Sequence, residues 1–294
     1  MAKTRREERT PHWVLHAFLA ATVLYTVYPV LWVITIAFSG KQSLAIADLP
    51  ADPSKLDRAR AVLPWPTRWA FSNFTSVLAD QPFARWMLNS AIVAIGATVV
   101  GVALSCTAAY AFSRFKFPGR RLGMMSFLVS QMFPGTLTLI PLYIIIVQWL
   151  GLGSTLTGLV IVYATTSIPF SVWMLKGYFD TIPKELEEAA VMEGAGPGKI
   201  FWSIVLPLAK PAIAITALFS FMTGWNEFIQ AATFMDKELM YTAPVGLRFF
   251  VGGFQQQWGY FAAGSIIVSI PVVLLFLYLQ KYLVSGLTAG SVKG

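Results

Sequence analysis

Charge is scarce in this sequence. Only 12% of its 294 residues are Asp, Glu, Lys or Arg, about half the share that a soluble domain carries, while 56% are hydrophobic. Cysteine occurs once, at Cys106, which excludes a disulfide framework within the chain. The two histidines, His12 and His16, stand one helical turn apart without acidic or thiol companions, a poor start for a metal site. No Gly-x-Ser-x-Gly elbow and no His-Glu-x-x-His pair occurs, nor any cluster of acid, base and metal-ligating side chains of the kind a membrane enzyme needs. The apolar runs are continuous and lack period-2 alternation, which excludes a membrane β-barrel. No repeats or low-complexity tracts break the chain.

What is present are apolar windows that approach the roughly 20 residues needed to cross a ~30 Å hydrocarbon core. They lie near Trp13–Phe38, Trp86–Phe112, Leu122–Val147, Gly158–Leu175, Leu206–Phe234 and Tyr260–Val284. Backbone in lipid must satisfy its own hydrogen bonds, so these windows read as helices: an all-α integral membrane protein with six transmembrane helices. The first window is longer than a signal-peptide core, and Phe38-Ser39-Gly40 lacks a clear small-x-small cleavage site, so it is expected as a retained helix. Pro134 and Pro141 divide the third window, Pro169 the fourth and Pro271 the sixth, while Pro211 opens the fifth. Such prolines kink helices and can open space for a pathway.

The net charge of +8 invites a nucleic-acid reading, which its distribution opposes. Lys3, Arg5, Arg6 and Arg9 precede the first window, and Arg114, Lys116, Arg120 and Arg121 crowd the loop after the second. With six spans these groups share one side with Lys176, Lys184, Lys199, Lys281 and Lys293, whereas the short loop Gln148–Thr157 has no basic residue. This is the positive-inside pattern; it places both termini in the cytoplasm of a multi-pass plasma-membrane protein and makes lipid, not nucleic acid, the partner of the charge. The expected organisation is a cytoplasmic segment 1–12, one membrane domain 13–284 and a cytoplasmic tail 285–294. An outer segment, 39–85, is rich in proline and reads as an irregular cap with short helices. A second, Asp236–Gly259, exposes Phe249, Phe250 and Phe254 among Gly and Gln residues, which suits contact with a sugar or with a protein carrying one, and equally an interfacial aromatic belt.

Within the spans, Glu227 in Trp225-Asn226-Glu227-Phe228 is the costly residue. One reading makes Trp225 and Phe228 stack on a sugar while Asn226 and Glu227 bind its hydroxyls. Another makes Glu227 a hydrogen-bonded link between helices near their outer end. A third makes it the proton carrier of a stand-alone proton-coupled sugar carrier. Asn89 and Gln131 read as interhelical links. The run Gly194-Ala195-Gly196-Pro197-Gly198-Lys199-Ile200 is no phosphate loop, because Glu193 stands where the pattern needs Gly and Ile200 where it needs Ser or Thr.

The most informative stretch is a polar island, Asp180 to Pro207, between two apolar windows. Pro183 can start a helix whose early turns carry Glu185, Glu187 and Glu188, as the helix dipole favours. Ala189 and Ala190 form a small surface, Gly194 can end the helix with positive φ, and Pro197 can begin a second short helix with Ile200, Phe201, Ile204 and Val205 on its apolar side. The product is a helix–turn–helix knob that suits docking to another protein; the other reading is an amphipathic hairpin lying on the lipid headgroups, which the acidic first helix opposes.

The spacing Glu188-Ala189-Ala190, three residues, Gly194, nine residues, Ile204-x-Leu206-Pro207 resembles the signature loop of the membrane subunits of binding-protein-dependent ATP-binding-cassette importers. Asn89-Ser90, Ala109-Tyr110-Ala111-Phe112-Ser113-Arg114, Gln131-Met132-Phe133-Pro134 and the ending Leu283–Gly294 narrow the likeness to carbohydrate permeases, and closely to the six-span permease subunits of maltose/maltodextrin transporters. The resemblance implies a type I importer (MetI-like) permease fold with a cytoplasmic coupling helix. It implies a heterodimer with a second permease subunit, two ATPase subunits below that bind ATP and Mg so that this chain has no cofactor, and an extracytoplasmic sugar-binding protein above. It implies, too, that Glu188, Ala189, Ala190, Gly194, Ile204, Leu206 and Pro207 couple to an ATPase, that the tail reaches the ATPase interface, and that most sugar contacts belong to the other permease. Maltose, maltodextrin, trehalose and other oligosaccharides all remain open as substrate.

Overall fold

A computed structural model describes residues 12–45, 49–66 and 68–289, with side chains to residue 281. The basic residues before position 12, and Lys293 with the rest of the tail from 290, lie outside the described residues. The described residues hold helices and no strand, and they group into two compact units, one reaching Gln81 and including Leu247–Ile267, the other Pro82–Gly246 with the residues from Val268 on.

The first unit is built on α1 (His12–Phe38), which continues through Pro29. Two short helices follow, α2 (Lys55–Ala61) and α3 (Ser72–Ala79), within the proline-rich segment 39–85. Ser54 and Asp57 cap α2 reciprocally, each side chain accepting from the other's backbone N–H. Asn73 of α3 is fully buried. Its amide donates to Ala37 O at 3.0 Å, one of the carbonyls that the end of α1 leaves without a helical partner. Gln42 extends the link: its Nε2 donates to Asn73 Oδ1 at 2.8 Å and its Oε1 accepts from Tyr260 N at 3.2 Å. Phe38 packs against Trp69, Phe71 and Phe74.

The second unit contains α4 (Phe83–Arg114), α5 (Arg120–Met132), α6 (Leu139–Tyr143), α7 (Leu156–Phe179), α8 (Glu185–Met192), α9 (Pro197–Ile200), α10 (Leu206–Leu208), α11 (Lys210–Asn226) and α12 (Ile229–Phe234). α13 (Ala243–Phe249) and α14 (Trp258–Ala289) each have residues in both units. Helices α4, α7 and α11 pack on one another to form its centre. Small residues let them approach: a Cβ on Gly101 of α4 would stand 2.9 Å from Ser167 Oγ of α7. Val93, Ala97, Leu159 and Val162 fill one end of this core, and Cys106, Ala109, Val172, Leu175 and Phe179 the other.

His12–Phe38, Phe83–Arg114, Leu156–Phe179 and Trp258–Lys281 are single helices long and apolar enough to cross a membrane. Two further helix pairs are long and apolar enough when taken together but are bent, Arg120–Met132 with Gly135–Trp149 at 103° and Pro197–Leu208 with Lys210–Asn226 at 77°, and they make six spans if each pair crosses once. The third window therefore turns a corner instead of kinking. Pro134 disfavours helical backbone at the residue before it, and Phe133 is extended at φ −79°, ψ 130°. The fifth window also stops short of Phe234, because Glu227 leaves the helix. Pro169 and Pro271, expected as interruptions, lie inside unbroken α7 and α14; neighbouring turns and helices can hold a helix through the one missing bond.

Candidate functional site

The helix–turn–helix island folds as its local sequence dictates. Pro183 precedes α8, and Glu185, Glu187 and Glu188 occupy its first turn. Gly194 has φ +83°. Its N–H donates to Val191 O at 2.9 Å and that of Ala195 to Ala190 O at 2.9 Å, a Schellman closure that satisfies two end carbonyls. Pro197 then opens α9. The next turn, Phe201–Val205, widens to a π-helix, which spares Ser203 the clash that Pro207's ring would cause four residues on in a regular helix.

What holds this knob comes from the last turn of α4. Arg114 Nε donates to Glu187 Oε1 at 2.6 Å, and its NH2 group donates to Ile182 O at 3.2 Å. The side chains of this ion pair are only 8% and 12% exposed. Arg114 NH1 also donates to Ser113 Oγ at 2.9 Å, and Ser113 donates in turn to Asp180 Oδ1 at 2.6 Å. Lys176 donates to the other oxygen of Asp180 at 2.5 Å. Under these polar ties lies an apolar floor of Tyr110, Ile182, Ile200, Phe201 and Val205, with the Tyr110 and Phe201 rings 4.9 Å apart.

Partial burial works against ionisation of Asp180, but hydrogen bonds from Lys176 and Ser113, with the charges of Lys176 and Arg114, prevail and hold its carboxyl below the ordinary carboxylate range. A lowered pKa gives stability that is present above the unfolded value, about 4, and is lost as pH falls through the folded value. The stability difference between the wild type and Asp180→Asn should stay constant from pH 7 to 5 and shrink below about pH 4. Thermal unfolding in detergent measures it, and a difference unchanged at pH 3 would remove the charge from the account.

The seven motif residues divide between two faces. Glu188, Ala189, Gly194 and Pro207 are exposed, and so are Val191 and Met192 beside them, at 57% and 88%. Ala190, Ile204 and Leu206 instead pack against the core below. The spacing thus combines an exposed set of residues with a set that packs against the core. Arg114, Glu187, Ser113 and Asp180 were missed as site residues. A signal existed, since Arg114 closes the second span and the acidic turn follows the fourth, both expected on the same side of the membrane.

The other candidates are tied up internally. Glu227 accepts from Gln230 N at 2.8 Å, Ala231 N at 3.0 Å and Tyr163 OH at 2.9 Å, so it caps α12 and links it to α7. That is the helix-linking reading of Glu227, and it leaves the proton-carrier reading without support. Trp225 is 2% exposed, stacks on Phe221 and donates to Val268 O at 3.1 Å. Its face is covered, which corrects its assignment as a sugar platform. Asn226 is exposed but donates to Met222 O at 2.9 Å, and Phe228 is half-buried. In the aromatic segment 236–259, Phe249 and Phe254 are exposed, whereas Phe250 is 2% exposed and packs edge-on to Tyr260. Phe250 is therefore interior, because the turn after α13 folds its ring inward. Asn89 is buried and links α4 to the carbonyls of Leu239 and Tyr241, each at 2.9 Å. Among the described residues, no group of three His, Cys, Asp or Glu side chains could hold a metal.

The chain is 37% identical over 227 residues to the maltodextrin transport system permease protein MdxG of Bacillus subtilis, covering 77% of this chain and 81% of that protein. It is 34% identical over 290 residues to the maltose/maltodextrin transport system permease protein MalG of Vibrio parahaemolyticus, covering 96% of each. In three dimensions it superposes on a chain of the crystal structure of a bacterial ABC transporter involved in import of the acidic polysaccharide alginate. The TM-score is 0.77, the identity 23%, and the coverage 96% of this chain and 99% of that one. The six spans, the knob and its spacing agree with a profile match over residues 101–288: the chain belongs to the family of binding-protein-dependent transport system inner membrane components.

Proposed function

We propose that this chain is one of two permease subunits in an ATP-driven importer of an oligosaccharide delivered by an extracytoplasmic binding protein. The observation that carries this reading is the α8 knob, exposed along Glu188, Ala189 and Met192 and fastened by Arg114 to the end of a span. A rigidly held protruding helix can pass on a partner's motion, which a loose loop cannot. The partner is an ATPase dimer that supplies ATP and Mg, since this chain has no phosphate loop. Closure of that dimer carries Glu188–Gly194 with it, and the spans of domain 13–284 rotate between inward- and outward-facing states. The side bias of Lys and Arg supports placing both termini, and the tail 285–294, on the ATPase side. Phe249 and Phe254 support contact with the binding protein on the opposite side. The relatives named for maltose and maltodextrin favour a glucose oligosaccharide.

Gly194→Asp tests the docking role. A Cβ at Gly194 meets nothing within 4 Å in this chain, and Asp is one of the few residues that accept positive φ, at a cost of about 1 kcal/mol. The variant should insert and fold, yet retain at most about a tenth of the uptake, or lose the ATPase on purification from mild detergent. Normal uptake with normal assembly would refute docking through α8. The wild-type pull-down is the companion measurement: recovery of an ATPase and a second permease supports the reading, and recovery of this folded chain alone overturns it.

A further inference from the structure

We infer that this chain itself contributes to the sugar path, at the corner in the third span, instead of leaving substrate contact to its partner. This rests on the importer reading above. Next to the 103° corner lies an open cavity of about 750 Å³, between α5, the turn after Pro134 and α7. The volume falls in the roughly 300–1,000 Å³ range of small-molecule sites.

Its lining is uncharged throughout and rich in hydroxyls, with Ser130, Thr138, Thr165 and Thr166 among them and Gln131 at the end of α5. Ser, Thr and Gln side chains in membrane-crossing segments are enriched on faces turned to other helices. Each of the four hydroxyls donates to a carbonyl three or four residues earlier: Phe127 O at 2.8 Å, Gly135 O at 2.7 Å, Ile161 O at 2.8 Å and Tyr163 O at 3.0 Å. Their protons are used and their oxygen lone pairs remain, so they are acceptors for a ligand rich in O–H groups. The Gln131 side chain is exposed and makes no hydrogen bond among the described residues, leaving an amide able both to donate and to accept. Phe127 and Phe133 border the cavity and supply apolar surface for the C–H face of a sugar ring. Acceptors, one amide, phenyl surface and no cation together fit a neutral oligosaccharide and disfavour an acidic one. Helices broken within a membrane commonly border transport sites, and here the break is what separates α5 from the turn carrying Thr138.

The experiment uses cells carrying the complete transporter, with Cys106→Ser as background. Uptake of radiolabelled maltotriose and trehalose is measured first. If neither enters and no ATPase co-purifies, the importer reading fails, and this inference with it. Given uptake of one, Gln131→Leu should raise its KM about tenfold, the effect of losing roughly one hydrogen bond, with ATPase co-purification unchanged. Thr166→Cys should react with a membrane-impermeant thiol reagent, and the transported sugar should protect it. Unchanged uptake kinetics in Gln131→Leu, no labelling at position 166, or labelling that the sugar does not slow would each overturn the inference while leaving the importer reading intact.

Discussion

Arg114→Leu should abolish sugar uptake while the chain still enters the membrane. The Arg114–Glu187 pair is nearly buried, and removing one partner of such a pair costs about 3 kcal/mol or more, because the remaining charge loses its compensation. Here Glu187 would keep only a long hydrogen bond from Tyr110 OH, at 3.5 Å, above the apolar floor. α8 is attached through few other polar contacts, so the loss should fall on its attachment more than on the α4–α7–α11 core. A shift of that size is about a hundredfold in the occupancy of the fastened state. ATP hydrolysis should then persist, stimulated or not by the binding protein, with uptake at or below about a tenth of wild type. Reversing the pair, Arg114→Glu with Glu187→Arg, should restore uptake only in part. It rebuilds the attraction but puts an acid at the C-terminal end of α4 and a base in the first turn of α8, both against the helix dipoles. Wild-type coupling of uptake to hydrolysis in Arg114→Leu would show that α8 is held by its apolar floor alone.

Gly246→Ala should strongly destabilise the segment that follows α12. A methyl group on Gly246 would collide with the edge of the six-membered ring of Trp86, at Cε3. That indole cannot step aside: it is 1% exposed and its Nε1 donates to Glu238 O at 2.9 Å. Nor can α13 withdraw freely, since Ser90 Oγ accepts from Ala243 N at 2.8 Å and Asn89 holds the preceding carbonyls. Overpacking of a site this constrained costs about 3 kcal/mol, the upper part of the usual range. Thermal unfolding in detergent should show it, and Trp86→Ala in the same chain should destabilise by much less than the sum of the two single changes. Additive losses would mean that the ring and the glycine do not meet.

The knob was legible because its determinants are local. Pro183, Gly194 and Pro197 act on their own backbone, and each produced the helix start or stop expected of it. The corner at Pro134 was half legible: a proline says that the helix is disturbed, while the angle depends on what the next turn packs against. Phe249, Phe250 and Phe254 look alike in sequence, and only the turn after α13 sends one ring inward and leaves two outside. Trp225 and Glu227 carried the right chemistry for a sugar, yet their partners, Val268 and Tyr163, lie 43 and 64 residues away.

The sequence by itself determined that this is a helical membrane protein with a protruding, acid-rich helix–turn–helix, because hydrophobic length, charge scarcity and residue spacing act within one segment. Which motif residues face outward, which acidic side chain is spent on Arg114 at a separation of 73 residues, and which polar groups remain open at the corner of the third span were decided only by tertiary structure. An exposed side chain and a paired one carry the same letter, and pairing is settled by the packing of α4 against α7, which brings together groups that no local pattern connects.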